Sequence, residues 1–301
     1  MTVISLNQVQ KKYSRIPVLT NVTFSIKENV ITGVAGRNGA GKTTLLKIIA
    51  GFMKATEGDV QVFDENPFGS LLVSANSIYI DDAMSYPNPM KLQELLHEFK
   101  RFYANWNEEL AMRLMEYFAI PFDIRYQFLS KGKRSTFNAI VGIAARCSLT
   151  IFDEPTTGMD TAARNDFYRA LLKDYIVNPR TILLSSHYID EIQDIIEDLL
   201  VIHRKQVRYH GTVSDLQEAH LSLRGTKEHL TEGTLGKTIV SKTRRGLQEE
   251  WILENDFSDA ERTKLSRLGI ANTTLSLNDA YLALTEQPRG GIDDVFDTQK
   301  D

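Results

Sequence analysis

Residues Gly36 to Thr43 read GRNGAGKT, which places glycines, a lysine and a hydroxyl at the spacing G-x-x-x-x-G-K-[ST]. This arrangement suits phosphate. Glycines let successive backbone N–H groups converge on an anion, the lysine reaches the β and γ oxygens of a nucleotide, and the threonine hydroxyl is a ligand for Mg²⁺. A second group, Asp153 and Glu154, closes the apolar run LTIFD. A carboxylate at the end of a buried strand holds Mg²⁺ directly or through water, and an adjacent glutamate polarises an attacking water. The third, His187, follows the apolar run Thr181 to Ser185, where an imidazole can bond a γ-phosphate and keep water and glutamate in line. Taken singly, Asp153 and Glu154 read as a solvated strand end and His187 as an ordinary strand-end residue. Downstream of a phosphate loop, the three describe ATP hydrolysis.

Such chemistry needs elements to hold it. Val30 to Ala35 (VITGVA) is strand-like, and Thr44 to Ala50 (TLLKIIA) has helical spacing that Gly51 stops, so the loop lies between a strand and a helix. The 301 residues, 42% hydrophobic, suffice for one large and one small folded domain. A net charge of −4 provides no global basic field, so nucleic acid is not an expected partner. The single cysteine, Cys147, excludes an intramolecular disulfide and fits a reducing compartment, and the six histidines show no zinc spacing with it. The N-terminal stretch lacks the pattern of a signal peptide and no run is long enough to span a bilayer, so a membrane link is expected only through a partner.

The order of these elements resembles the ATP-binding subunit of ABC transporters over residues 1–220. Tyr13 falls where that family has an aromatic that stacks on adenine, although it also reads as a partly buried strand aromatic. FLSKGK (Phe128 to Lys133) resembles the family signature LSGGQ, with Ser130 and Gly132 retained, and is followed by Phe137, Ile140, Val141, Ala144 and Ala145 at amphipathic helical spacing. Ser130 is the expected N-cap of that helix. Thr157 to Asp160 (TGMD) resembles the family's D-loop. The resemblance implies that ATP is sandwiched between two subunits. One would contribute Tyr13, Gly36, Asn38, Gly39, Ala40, Gly41, Lys42, Thr43 and Thr44, and the other Ser130 and Gly132. Thr43 and Asp153 would hold Mg²⁺, with Glu154 as base and His187 on the γ-phosphate. The other implied partner is a separate transmembrane permease, which would place the chain peripherally on the cytoplasmic face of the cell membrane. Because one chain carries both halves of the site, a homodimer would be competent, and a heterodimer with another ABC ATPase stays open.

Two departures from the family pattern qualify this. Lys131 and Lys133 replace the usual glycine and glutamine, in the LSKG form of drug- and peptide-exporter ATPases. In SIYIDD (Ser77 to Asp82), where the family has a Q-loop glutamine, matching through Tyr79 puts Asp82 at that position. Asp82 is expected either to reach Mg²⁺ or to be a solvated loop acid. The run FYANWNEEL closely resembles exporter ATPases related to those serving antimicrobial peptides, bacitracin-like antibiotics and phenol-soluble modulins. The implied function is an ATPase that drives export of a peptide, toxin or antibiotic. Two alternatives remain, an ATP-gated regulatory module with vestigial hydrolysis and a soluble ABC-type DNA-repair or translation factor.

The expected fold is α/β: a P-loop ATPase core with a mixed sheet, an antiparallel β portion, a helical subdomain over about 88–146 and a small C-terminal α/β extension. That subdomain carries Tyr86, Phe99, Phe102, Tyr103 and Trp106, which read mostly as core or as the lining of a groove for the permease. Leu199 to His203 and Val207 to His210 read as a hairpin that closes the ATPase domain at 1–220. Residues 221–285 are expected to form a dimerisation or regulatory domain and 286–301 a flexible tail. The basic run Lys242, Arg244 and Arg245 reads as a solvated loop.

Overall fold

The buried strand β3 (Ile31–Ala35) carries no exposed residue, and that is the condition for a strand covered on both faces. In the computed structural model, which describes residues 1–285 apart from Asn88 and Leu247, it is preceded by the antiparallel pair β1 (Thr2–Tyr13) and β2 (Ile16–Lys27). It is followed by α1 (Lys42–Ile49), β4 (Glu57–Val62), α2 (Leu71–Asn76) and β5 (Ser77–Ile80), then by α3 (Leu92–Phe102), α4 (Glu108–Tyr117) and α5 (Lys131–Ala145). Beyond these come β6 (Leu149–Asp153), α6 (Thr161–Val177), β7 (Thr181–Ser185), α7 (Ile189–Ile192), β8 (Asp198–His203) and β9 (Gln206–Thr212). The central sheet has the order β5-β6-β7-β3-β8-β9 and is parallel except for β9, which closes it as an antiparallel hairpin with β8. A second, antiparallel sheet has the order β2-β1-β4. The mixed sheet with an antiparallel portion is the expected fold.

Helix α1 fixes the phosphate loop. Leu45, Leu46, Ile48 and Ile49 are buried in one core with Ile4, Leu6, Val22 and Val60 of the small sheet and Leu183, Leu200 and Ile202 of the large one. Each such side chain contributes about 1.5–3 kcal/mol on burial, so the helix is held from both sides. Helix α5 differs from its expected amphipathic pattern, because every residue from Ser135 to Ala145 is buried. Gly142 shows why: a Cβ there would come within 2.5 Å of the Phe152 ring, so α5 lies directly on β6 as well as against the helices before it. Tyr86 packs edge-on against Phe99, Tyr126 and Phe137, and Phe99 packs on Tyr103 and Trp106. Those aromatics are core, and Phe102 alone of the expected series is strongly exposed.

The chain divides into two compact units, Met1–Val213 and Ser214–Asp301. The second holds the end of α8 (Val213–Glu218), then β10 (His220–Gly225), α9 (Lys227–Gly233), β11 (Ile239–Arg245), β12 (Gln248–Glu254), α10 (Asp259–Arg267), β13 (Ala271–Thr274) and α11 (Leu277–Thr285). Its sheet order β11-β12-β10-β13, antiparallel throughout, is the split βαββαβ arrangement. Leu221 and Leu223 of β10 and Trp251 and Leu253 of β12 alternate onto a core shared with Leu230 and Leu265 of the two helices. The basic run read as a loop is strand β11, with Lys242 opposite Trp251 and its ammonium 3.9 Å from the ring centroid. The expected tail at 286–301 lies outside the described residues.

Candidate functional site

The phosphate loop leaves β3 and enters α1 through two glycines in the left-handed region, Gly39 at φ +77° and Gly41 at φ +108°. A side chain at Gly41 would stand 2.7 Å from Leu19 Cδ2, so the tight turn needs glycine for both reasons. Asn38, Gly39, Ala40, Gly41, Lys42, Thr43 and Thr44 line a cleft of ≈ 310 Å³ together with Val18, Glu154 and His187. Gly36 lies behind the cleft wall, where its carbonyl accepts a 2.7 Å hydrogen bond from Lys42 Nζ. Lys42 is 5% exposed. Burial lowers its pKa, and the negative charges of Glu154 and Asp153 oppose that shift.

The two acids reach the site by different routes. Asp153 ends β6 and is buried, with Oδ2 accepting from the Tyr79 hydroxyl at 2.8 Å and Oδ1 from the Ser185 hydroxyl at 2.7 Å. Glu154 has φ +53°, an uncommon conformation for a side-chain-bearing residue, which turns the chain out of the sheet directly after Asp153. Its backbone N–H donates to Ser185 Oγ at 2.9 Å, and its carbonyl accepts from the Thr157 N–H and hydroxyl. The carboxylate spans the cleft: Oε1 is 3.7 Å from Lys42 Nζ and Oε2 is 2.5 Å from His187 Nε2. His187, Glu154 and Lys42, widely separated in sequence, thus form one line of polar contacts. Tyr79 and Ser185 were not singled out from sequence as site residues, and strand pairing supplies them. Asp153 pairs with Ser185 across β6 and β7, and β5 runs on the other side of β6.

A second cleft, ≈ 400 Å³, continues from Glu154 and His187 along Thr156 to Met159, Arg164, Ser186 and Tyr188. The TGMD stretch forms this wall and caps α6, where Asp160 accepts from the Ala163 N–H at 2.8 Å. Ser130 is the N-cap of α5 as expected, accepting from the Lys133 N–H. A Cβ on Gly132 would meet the Gly158 carbonyl at 2.5 Å, so the first turn of α5 lies directly against the TGMD loop. Neither Ser130 nor Gly132 lines the phosphate cleft of its own subunit.

Tyr13 also stands outside that cleft lining. It is half-exposed, and its hydroxyl donates to Met53 Sδ at 3.2 Å. Asp82, expected to reach Mg²⁺, is instead turned to Lys131, 3.9 Å away, with both side chains largely in solvent. Asp81 is the inward member of the pair. It lies 3.7 Å from Lys47 of α1, and burial raises its pKa against the lowering effect of that lysine. The two adjacent acids therefore hold lysines on different elements, Asp81 on the helix after the phosphate loop and Asp82 on the signature helix.

Comparison with known proteins gives one family, "ABC transporter", whose model matches residues 19–157. The ATP-binding protein YtrB of Bacillus subtilis is 27% identical over 73% of this chain and 75% of its own length. The daunorubicin/doxorubicin resistance ATP-binding protein DrrA of Streptomyces peucetius is 24% identical over 92% of this chain and 91% of its own. Among solved structures, the ATP-binding subunit of an ABC transporter superposes with a TM-score of 0.64 at 23% identity, covering 72% of this chain and 92% of that one. A nucleotide-free ATP-binding cassette superposes with a TM-score of 0.57. The family match begins at Leu19, against the phosphate loop, and ends just beyond Glu154, so it takes in Lys42 and Glu154 but stops short of His187: the chain is similar to the ATP-binding subunits of ABC transporters, and it is an ATPase.

Proposed function

We propose that the chain dimerises around two ATP molecules and uses their hydrolysis to drive export of a peptide, toxin or antibiotic through a separate membrane permease. The observation that carries this reading is the line Lys42–Glu154–His187 across the phosphate cleft, a hydrolytic arrangement and not only a binding one. Lys42 donates to the Gly36 carbonyl and lies 3.7 Å from Glu154, so nucleotide phosphates would compete with both for its ammonium. Glu154 then accepts a proton from the attacking water, and His187, already on Oε2, holds the carboxylate in line. Ser130 and Gly132 at the start of α5 would face the γ-phosphate from the second subunit, with the helix N-terminus adding a favourable dipole.

The donor set fits Mg²⁺. Among the described residues no group of three His, Cys, Asp or Glu side chains forms a cage; the cleft lining carries the Thr43 hydroxyl, and the buried Asp153 carboxylate ends β6 directly before the cleft residue Glu154. Mg²⁺ commonly takes one or two protein oxygens and completes its shell with water and phosphate. When bound with ATP it neutralises charge on the β and γ oxygens. Thr43 and Asp153 would hold it, while Asp82, drawn to Lys131, is left out of this set.

Export is inferred from the LSKG signature, and a likeness to DrrA, a daunorubicin/doxorubicin resistance protein, that extends over the C-terminal unit as well as the ATPase unit supports a drug-like cargo. Among the described residues no helix is long and apolar enough to cross a membrane; the separate permease and the peripheral place on the cytoplasmic face are inferred from the likeness to ABC transporter ATP-binding proteins. A surface for that permease is available on the ATPase unit, where Phe52, Phe68, Leu71 and Leu72 are exposed. The close approach of Gly51 to the Pro67 carbonyl brings the end of α1 beside the start of α2, so these side chains share one region. The test is reconstitution with the candidate permease. Stimulated turnover that is lost in Phe52→Asp and Leu71→Asp supports the reading. ATP-dependent dimerisation with no turnover in either setting would return the chain to a regulatory switch.

A further inference from the structure

Asp153 is an acid whose two oxygens are both occupied by hydroxyl donors from neighbouring strands, Tyr79 of β5 on Oδ2 and Ser185 of β7 on Oδ1. We propose that Tyr79 and Ser185 are positioning residues that clamp the Asp153 carboxylate at the angle needed for the metal, with Ser185 also tying that angle to the backbone of Glu154. This rests on the reading of Asp153 as the Mg²⁺ carboxylate.

Three observations carry it. All three groups are buried, so the hydrogen bonds form where water does not compete and where a charged acceptor strengthens them. Ser185 Oγ both donates to Asp153 and accepts from the Glu154 N–H, so one hydroxyl sets the metal acid and the left-handed turn that delivers the base. The clamp also fixes the carboxylate's rotation, since both oxygens are held from opposite sides of β6 in the strand order β5-β6-β7. Tyr79 itself is braced by Phe52, whose ring meets it edge-on at 5.4 Å between centroids. Tyr79→Phe therefore removes one donor and leaves the ring packing in place.

The experiment uses the full chain and a non-hydrolysable ATP analogue, titrated with Mg²⁺ while nucleotide binding is followed by fluorescence. Partners of metal ligands are worth about 10–100-fold in metal affinity. Tyr79→Phe and Ser185→Ala should each raise the half-saturating Mg²⁺ concentration about ten-fold, with Mg²⁺-free nucleotide affinity close to the parent and a single cooperative melting transition retained. Ser185→Thr, which keeps the hydroxyl, should restore the parental value. Asp153→Asn separates the two levels of the argument. If it leaves the Mg²⁺ dependence unchanged, the metal assignment itself falls. If it abolishes that dependence while Tyr79→Phe and Ser185→Ala bind Mg²⁺ as the parent does, the metal assignment stands and the clamp is overturned. A parallel loss of Mg²⁺-free binding in both hydroxyl variants would also overturn it, by showing a general structural role.

Discussion

Three glycines of the phosphate loop stand in different surroundings, and alanine at each should reduce nucleotide affinity in a set order. At Gly39 the backbone is left-handed, φ +77°, but a Cβ meets nothing within 4 Å. The only cost is conformational, about 1 kcal/mol, or roughly five-fold in affinity. At Gly36 the Cβ would stand 2.6 Å from the Ile202 carbonyl oxygen on β8, a strand paired with β3, and nothing flexible can yield. Overpacking of that kind costs about 1–3 kcal/mol, up to roughly a hundred-fold if it falls on the bound form. Gly41 combines both penalties. Its φ of +108° lies well beyond the left-handed well, and its Cβ would meet Leu19 Cδ2 at 2.7 Å and the Val18 carbonyl at 3.0 Å. Leu19 is fully buried, so its side chain has no free space to rotate into. The sum is about 3 kcal/mol or more, beyond a hundred-fold. Affinity registers these costs because the free loop can relax while the phosphate-bound loop must keep its shape. Equilibrium titration with a fluorescent ATP analogue and Mg²⁺ reads the order, and melting curves without nucleotide confirm that each variant is folded. Gly39→Ala as damaging as Gly41→Ala, or Gly41→Ala with parental affinity, would refute the steric argument.

Further predictions concern stability. Asp174 is buried and accepts charge-assisted hydrogen bonds from Arg146 and Arg180, so Arg180→Leu should leave it under-compensated and lower unfolding free energy by about 3–5 kcal/mol in urea titrations. A loss below about 1 kcal/mol would mean that Arg146 alone satisfies the acid. In the C-terminal unit the Ser258 backbone N–H and hydroxyl, then Lys237, hold the Glu261 pKa down at about 2, from 4.5. A depressed carboxylate stabilises above its unfolded pKa and loses that contribution as pH falls, so the stability of this unit should decline between about 4.5 and about 2. Glu261→Gln should flatten that slope, as read from Trp251 fluorescence in a Trp106→Phe background, and an unchanged slope would contradict the assignment.

How legible the site was follows from how each residue reaches it. Gly36 to Thr43 lie between a strand and a helix at a fixed spacing, so local pattern alone locates that loop. Asp153, Glu154 and His187 stand at or just after buried strands and gained meaning only from the phosphate loop upstream of them. Tyr79 and Ser185 were not legible, because their contacts with Asp153 arise from the lateral order β5-β6-β7, and β5 and β6 are separated in the chain by three helices. The Asp81–Asp82 pair was ambiguous for a related reason: adjacent residues at a strand end face opposite ways, and only packing shows that Asp81 turns in to Lys47 and Asp82 out to Lys131. The helical spacing of α5 showed one apolar face, whereas Ser135, Thr136 and Asn138 are buried through hydrogen bonds to neighbouring loops and to their own helix, so polarity hid the second face. In the C-terminal unit the basic run on β11 lacked apolar alternation and read as loop, and its pairing with β12 is what makes it a strand.

In the proposed mechanism Glu154 is the base for hydrolysis of ATP held between two copies of this chain. Glu154→Gln removes the charge but retains a side chain of the same shape between Lys42 and His187. The most direct measurement is ATP turnover together with the mass of the particle in solution, for parent and Glu154→Gln, with and without Mg²⁺-ATP. The parent should turn over and be dimeric only transiently, whereas the variant should bind ATP, fail to turn over and accumulate as a nucleotide-loaded dimer. A variant that binds ATP normally and stays monomeric, or that hydrolyses at the parental rate, would contradict this mechanism.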